Sequence, residues 1–184
     1  MNLLNLRTAA SVVRSGGVIA YPTESCFGLG CDPRNISGIR RILKIKRRMR
    51  EKGLILIADT ASRFRPYVSH YPAEQLDQIF ATWPGPNTWL LPAKNATSRW
   101  IRGQYDSIAV RVTAHRQAAL LCQFSRSAIV STSANLAGQP SLRTHRAVSR
   151  IMGDRIDYIV PGLIGSDEKP STIRDGFSGE LIRV

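Results

Sequence analysis

Apolar, β-prone residues recur along the chain in short runs at 17–21, 54–57, 89–91, 108–110, 128–130, 158–160 and 181–182. Segments 5–15, 37–47, 73–81, 115–124 and 144–152 lie between these runs and read as helices. Strand-like runs alternating with helices predict an α/β protein. Trp83-Pro84-Gly85-Pro86 reads as a rigid turn between elements. No repeat and no low-complexity linker interrupts the pattern, and residues 1–184 are expected to form one domain.

Helix 37–47 carries the first anomaly. Ile39, Ile42 and Leu43 define an apolar stripe, and Lys46 falls on that same face. A lysine aimed inward requires either an anionic partner or a stem that lets its ammonium reach water, and both readings stand at this level. Arg40, Arg41, Lys44 and Arg47 point elsewhere and read as a solvated face. The helix is expected to end near Arg47, leaving Arg48 in a turn from which Arg48 and Lys52 can converge with Lys46 on one anion. Three cations sharing a pocket repel one another unless an anion joins them.

The second anomaly is Ser131-Thr132-Ser133-Ala134-Asn135, directly after the apolar run 128–130. Neutral hydroxyl and amide groups at the carboxyl end of a strand suit ligand binding in α/β proteins. Strand termination or helix capping is the competing reading of the same cluster.

Lys and Arg total 26 against 13 acids among 184 residues, a formal net charge of +13, which points to nucleotides, RNA or another anionic partner. No stretch approaches the roughly 20 apolar residues of a membrane span and no secretory signal is visible, so a cytoplasmic location is expected. Cys26, Cys31 and Cys122 lack zinc-ligand spacing and read as reduced packing residues, and His70, His115 and His145 form no metal motif. No protein-held metal site is expected. A phosphate loop of the Gly-x-x-x-x-Gly-Lys-Ser/Thr type is missing, so phosphate contacts must come from dispersed residues.

Taken together, Tyr21-Pro22-Thr23-Glu24, Phe27-Gly28-Leu29-Gly30-Cys31-Asp32, Lys46-Arg47-Arg48, Lys52-Gly53-Leu54-Ile55-Leu56, Trp83-Pro84-Gly85-Pro86, Ala109-Val110-Arg111-Val112, Ser131 to Asn135 and Pro170-Ser171-Thr172-Ile173 resemble the YrdC/TsaC family of threonylcarbamoyl-AMP synthases in order and spacing. The family's lysine-any-arginine motif falls on Lys46 and Arg48, and its serine-any-asparagine motif on Ser133 and Asn135. Met49 stands where relatives often have proline, and Asn87 where many have an apolar residue.

The resemblance implies a twisted, mixed sheet with a positively charged concave face. It also implies an enzyme, a nucleotidyltransferase acting in tRNA threonylcarbamoyladenosine formation, that joins L-threonine, bicarbonate or CO2, and ATP. Lys46 and Arg48 become the catalytic pair, Thr23, Lys52 and Thr88 the contacts for threonine and bicarbonate, and Arg111, Ser131, Ser133, Asn135 and Arg143 the nucleotide contacts. Mg2+ is expected to arrive mainly on ATP phosphates and water. Glu24 reads either as a base or substrate-orienting group or as a structural acid beside Thr23. Possible tRNA binding and later proteins of the same modification pathway are the further partners.

Two other readings compete. One is a noncatalytic RNA-binding protein that uses the basic face, although no RNA-module signature is present. The other is a carbamoyl-phosphate-using domain of the kind found inside hydrogenase-maturation proteins.

Overall fold

The structure, a computed structural model, describes residues 2–167 and 169–183. One nine-stranded mixed sheet organises it. In chain order the strands are β1 (Ile19–Pro22), β2 (Phe27–Gly30), β3 (Ile55–Ala58), β4 (Asn87–Pro92), β5 (Ser107–Val112), β6 (Ile129–Ser133), β7 (Tyr158–Ile159), β8 (Thr172–Asp175) and β9 (Leu181–Arg183). They lie side by side as β7-β1-β2-β6-β3-β5-β4-β8-β9. The pairs β1–β7, β3–β5 and β4–β8 are parallel and the remaining neighbours antiparallel. Six α-helices accompany them among the described residues: α1 (Leu3–Arg14), α2 (Ile36–Lys46), α3 (Ala73–Ala81), α4 (Arg99–Arg102), α5 (Arg116–Ser125) and α6 (His145–Met152).

Helix ends follow their capping residues. Asn2, Asn35 and Thr144 each accept a backbone N–H at the start of α1, α2 and α6, and His115 Nδ1 does the same for α5. At the end of α2, Arg47 adopts the left-handed conformation (φ 51°), which turns the chain away just after Lys46.

Alternation along the strands sorts the core into two layers. Leu29, Leu56, Val110 and Val130 face α2, whose Ile39, Ile42, Leu43 and Ile45 pack against them. Ile19, Tyr21, Ile57 and Ile129 face the other way, against Leu6, Ala10 and Val13 of α1 and Leu121 and Cys122 of α5. Each such aliphatic side chain contributes about 1.5–3 kcal/mol by burial. A charge introduced at Ile42 or Leu121, both fully buried, would break the corresponding layer.

Several expectations need correction. β2 and β8 do not stand out as apolar runs. In β2, glycine alternates with Phe27 and Leu29, and a Cβ on Gly30 would come within 2.7 Å of the Val130 carbonyl oxygen, so the close approach of its neighbours demands glycine there while pairing with β1 and β6 makes the strand. β8 is short and half-buried, without a clear apolar pattern. The hydroxyl cluster does not follow β6 but belongs to it: Ser131 pairs with Ile55 and Ser133 with Gly28. Backbone pairing on both sides overrides serine's weak strand preference.

The basic face of α2 is also not purely solvated. Arg41 forms a two-pronged ion pair with Asp157, at 2.6 and 2.9 Å, and the guanidinium of Arg40 lies over the Trp100 ring at 5.4 Å. No helix among the described residues is long and apolar enough to cross a membrane.

Candidate functional site

The sheet face that meets α1 and α5 changes character further along the same strands. The register places Tyr21 opposite Gly28, Gly28 opposite Ser133, Ile55 opposite both Ser131 and Ala109, and Ile57 opposite Arg111, so these side chains all point to one side. There a cavity of about 170 Å³ opens, with Thr23, Gly28, Arg48, Arg111, Ser131 and Ser133 in its walls. A second cavity of about 350 Å³ adjoins it, and Arg48, Leu54, Ile55 and Arg183 are common to both. Lys52 reaches the second cavity only.

Lys46 lies beneath the first cavity and is 5% exposed. Its ammonium donates to the Ser133 carbonyl oxygen, to the Asn135 carbonyl oxygen at 3.1 Å and to Asn135 Oδ1 at 2.7 Å. Three donors therefore meet three acceptors. Ser133 Oγ, at 3.5 Å, is too distant to compete and instead donates to Asn135 Oδ1 at 2.7 Å. Burial, and then the like charge of Arg48, push the lysine pKa down to about 8. The three acceptors match the ammonium, which remains the majority form at neutral pH. The inward lysine is thus satisfied by neutral oxygens, neither by an anion nor by snorkelling, and the two short motifs meet in space.

Arg48 turns its guanidinium onto the Gly53 carbonyl oxygen at 2.9 Å, and burial lowers its pKa. Gly53 has φ 61°, a conformation that favours glycine, and its carbonyl is thereby presented to Arg48.

Arg111 is 8% exposed and pairs with Glu24 at 3.2 Å. Glu24 also accepts from Thr113 Oγ1 at 2.7 Å and from the Ala114 N–H at 3.1 Å. Burial raises the pKa of Glu24, but Arg111 and the Thr113 hydroxyl outweigh it and hold the carboxyl below its ordinary value. Glu24 is therefore an ionised clamp, held through Oε1 between the β1–β2 turn and the end of β5, which favours the structural acid, while its buried Oε2 has the Arg111 charge beside it but no hydrogen-bond partner among the described residues. Arg111 Nε, buried, has no hydrogen-bond partner among the described residues.

The remaining candidates divide. Ser131 faces the cavity and accepts from the buried Tyr21 hydroxyl at 2.8 Å, while burial keeps that phenol neutral. Thr23 faces the cavity while donating to the Cys26 carbonyl oxygen at 2.7 Å. Thr88 is fully buried and reaches the cavity only through Ser171, whose hydroxyl it meets at 2.9 Å. Asn135 is engaged with Lys46, Ser133 and the Gln139 carbonyl oxygen, so it orients the lysine and does not project into the cavity. Arg143 is exposed and lines neither cavity, because the 134–142 loop closes on itself through Leu142 N–H and the Ala134 carbonyl oxygen.

Sequence reasoning missed Tyr21, Ser171 and Arg183. The first two lie inside blocks already singled out. Arg183 offers no motif, and only its pairing with Ile173 shows which way it points.

A larger cavity of about 570 Å³ lies elsewhere, beside Arg34 and Arg63. Those arginines are already paired with Asp32 and Asp59, at 2.7 and 3.0 Å, so it offers an anion less net charge. The three cysteines are free: Cys31 and Cys122 are buried, and burial pushes the Cys31 thiol up to about 12. Among the described residues, no group of three or more His, Cys, Asp or Glu side chains could hold a metal.

A mixed α/β sheet with guanidiniums and hydroxyls around a small cavity, and a caged lysine behind it, has the chemical make-up of a site for small anionic molecules. The chain belongs to the Sua5/YciO/YrdC family, whose model, described as telomere recombination, matches residues 11–184. It is 50% identical over 178 residues to the threonylcarbamoyl-AMP synthase of Nitrosococcus oceani, covering 97% of this chain and 96% of that one. The corresponding synthase of Halorhodospira halophila is 49% identical, with 97% and 93% covered. Among solved structures, P. abyssi Sua5 complexed with L-threonine superposes with a TM-score of 0.89 at 30% identity, covering 95% of this chain and 52% of that one. The present chain thus spans about half of the Sua5 chain.

Proposed function

We propose that this chain is a threonylcarbamoyl-AMP synthase that converts L-threonine, bicarbonate or CO2, and ATP into threonylcarbamoyl-AMP and pyrophosphate. The observation that carries the reading is that Arg48 and Ser133 line the cavity while Lys46, held by Asn135, is bonded to Ser133 behind its wall, together with near-full-length similarity to synthases of that name.

The chemistry suits the site. The threonine amine joins CO2 to give a carbamate with loss of a proton. A carbamate oxygen then attacks the α-phosphorus of ATP, and the bond to the bridging oxygen breaks as pyrophosphate leaves. The carbamate and ATP that meet in the second step are both anionic, so catalysis of that step consists of holding like charges together and stabilising the charge that develops on phosphoryl oxygens.

Arg48 and Arg111 supply contacts from the cavity wall. Lys46 supplies a fixed positive charge beneath Ser133, where low solvation strengthens its field. The hydroxyls of Thr23, Ser131 and Ser133 orient substrate groups, and Lys52 guards the adjoining cavity. Glu24 takes no proton in this scheme, because the Arg111 charge and the hydrogen bonds from Thr113 and Ala114 hold it ionised. No cluster of carboxylates accompanies it among the described residues, and Mg2+ would travel on the ATP phosphates and water.

A cytoplasmic location, tRNA binding and encounters with later proteins of the modification pathway belong to the same reading. Pyrophosphate release by the pure protein tests it. Release should require ATP, threonine and bicarbonate together, and release that ignores omission of threonine would overturn it.

A further inference from the structure

Between β7 and β8 the described residues carry no regular secondary structure, and a connection of that length is uncommon in a compact domain unless it serves a site. This strap runs along the Thr23–Glu24 turn. The Gly165 N–H donates to the Thr23 carbonyl oxygen at 2.9 Å, and the Asp167 N–H donates to the Glu24 carbonyl oxygen at 3.2 Å. Thr23 lines the smaller cavity, and the far end of the strap, Pro170 and Ser171, supplies another part of its wall. The position of the strap therefore decides where two cavity hydroxyls stand.

Apolar packing holds little of it. Ile164 rests against the core, but Leu163 is 86% exposed. Two side chains from the start of α5 grip the near end instead. Gln117 Nε2 donates to the Pro161 carbonyl oxygen at 3.0 Å, and His115 Nε2 meets the Leu163 carbonyl oxygen at 3.2 Å. Because His115 Nδ1 accepts the Ala118 N–H at 3.4 Å, the neutral ring carries its proton on Nε2, and that nitrogen is the donor to Leu163. Burial, above all, lowers the His115 pKa and keeps the imidazole neutral at neutral pH. The backbone of His115 is tied to the same turn, since its N–H donates to Thr113 Oγ1 at 3.2 Å and that hydroxyl donates to Glu24 Oε1 at 2.7 Å. The fit is close: a Cβ on Gly165 would come within 2.6 Å of the Glu24 carbonyl oxygen.

We propose that His115 is a positioning residue that latches the strap through its Nε2–H and so holds Thr23 and Ser171 in place for L-threonine. The choice of ligand rests on the synthase reading. His115 itself lines neither cavity and acts only through the strap.

Two substitutions separate the latch from the helix cap. His115→Asn sets an amide oxygen where Nδ1 stands and keeps the cap, but its side chain is too short to reach Leu163. His115→Gln sets an amide N–H near the place of Nε2 and keeps the latch while giving up the cap. The full chain is titrated calorimetrically with L-threonine and with ATP, and hydrogen exchange is followed at the Gly165 and Asp167 amides. In His115→Asn, threonine affinity should fall about fivefold, the effect of one lost hydrogen bond, and the two amides should exchange faster. ATP affinity should stay within about twofold, because the strap contacts the threonine side of the wall. His115→Gln should match the parent in all three readouts even where α5 frays and the melting temperature drops. A histidine that served only as a cap would give the opposite order. Gly165→Ala pushes the strap off the Glu24 carbonyl without touching α5, should weaken threonine binding in the same way, and carries the test if His115→Asn does not fold.

Parental threonine affinity and amide exchange in folded His115→Asn would overturn the proposal, as would a His115→Gln protein as impaired as His115→Asn. The two readings fail separately. A parent that makes no adduct and binds no threonine, but whose two amides loosen in His115→Asn and not in His115→Gln, would leave the latch standing and remove the synthase assignment. A parent that makes the adduct while His115→Asn keeps full threonine affinity and amide protection would remove the latch alone.

Discussion

Where α1 and α5 cover the sheet, Ile19, Tyr21, Ile57 and Ile129 are at most 1% exposed and pack as ordinary core. Two residues along β6 from Ile129, the same face carries Ser131 and then Ser133, and two residues back along β3 from Ile57 it carries Ile55 at the cavity wall. One strand thus serves as core at one end and as a site at the other. The covered end is held by packing, which tolerates no charge. The open end is held by hydrogen bonds and by the Glu24–Arg111 pair, which keep polar groups in fixed positions. Strand alternation makes both possible, because polar and apolar residues can share a face without sharing surroundings.

The sharpest way to break the contrast is to remove charge from the clamp. Glu24→Gln should retain an oxygen for Thr113 but leave Arg111 buried without its counter-charge, lowering unfolding free energy by about 4 kcal/mol in urea titrations near neutral pH. The pH dependence has a definite sign. Because the folded pKa of Glu24 lies below its ordinary value of 4.5, its stabilisation is present above that value and is lost as pH falls through the lower folded pKa. In Glu24→Gln that part of the acid sensitivity should vanish.

Leu121→Ala tests the covered end, where a fully buried side chain from α5 would be removed. Stability should fall by about 3 kcal/mol, whereas turnover measured well below the melting temperature should stay near the parent's. Lys46→Met should do the reverse. Turnover should fall by on the order of 100-fold, about 2.7 kcal/mol of transition-state stabilisation, in protein that remains folded by circular dichroism. With its pKa near 8, Lys46 loses its charge above that value, so kcat/KM should decline as pH rises through about 8.

The smallest effect is expected from Ser133→Ala, which removes the hydroxyl that donates to Asn135 Oδ1 at 2.7 Å and faces the cavity. ATP affinity by calorimetry should weaken by about 1 kcal/mol. Asn135→Ala should affect turnover more than ATP affinity, because the amide orients Lys46. Equal losses in affinity for the two variants would put Asn135 in direct contact with nucleotide.

Much of this was legible in the sequence because periodicity is a local property. The stripe of Ile39, Ile42 and Leu43 marked both the buried face of α2 and the inward lysine. The oxygens that receive Lys46 lie 87 and 89 residues away, and only their association in a family motif connected them. Glycine-rich β2 was hidden because its strand character comes from backbone pairing with β1 and β6, whose close approach demands glycine at position 30. Thr88 and Arg143 were named by resemblance, and their placement behind Ser171 and on an open loop depends on tertiary packing that no spacing encodes. Arg183 had no motif and became visible only through its register on an outer strand.

The most direct test of the central claim, that the open end of this sheet face joins L-threonine, bicarbonate and ATP, uses isotopically labelled bicarbonate. The pure protein is mixed with ATP, L-threonine and the labelled carbon source, and products are resolved by mass spectrometry. The account predicts a labelled threonylcarbamoyl-AMP ion from the parent and a strongly diminished one from folded Lys46→Met. Folded parent protein that binds ATP yet yields no labelled adduct would contradict it.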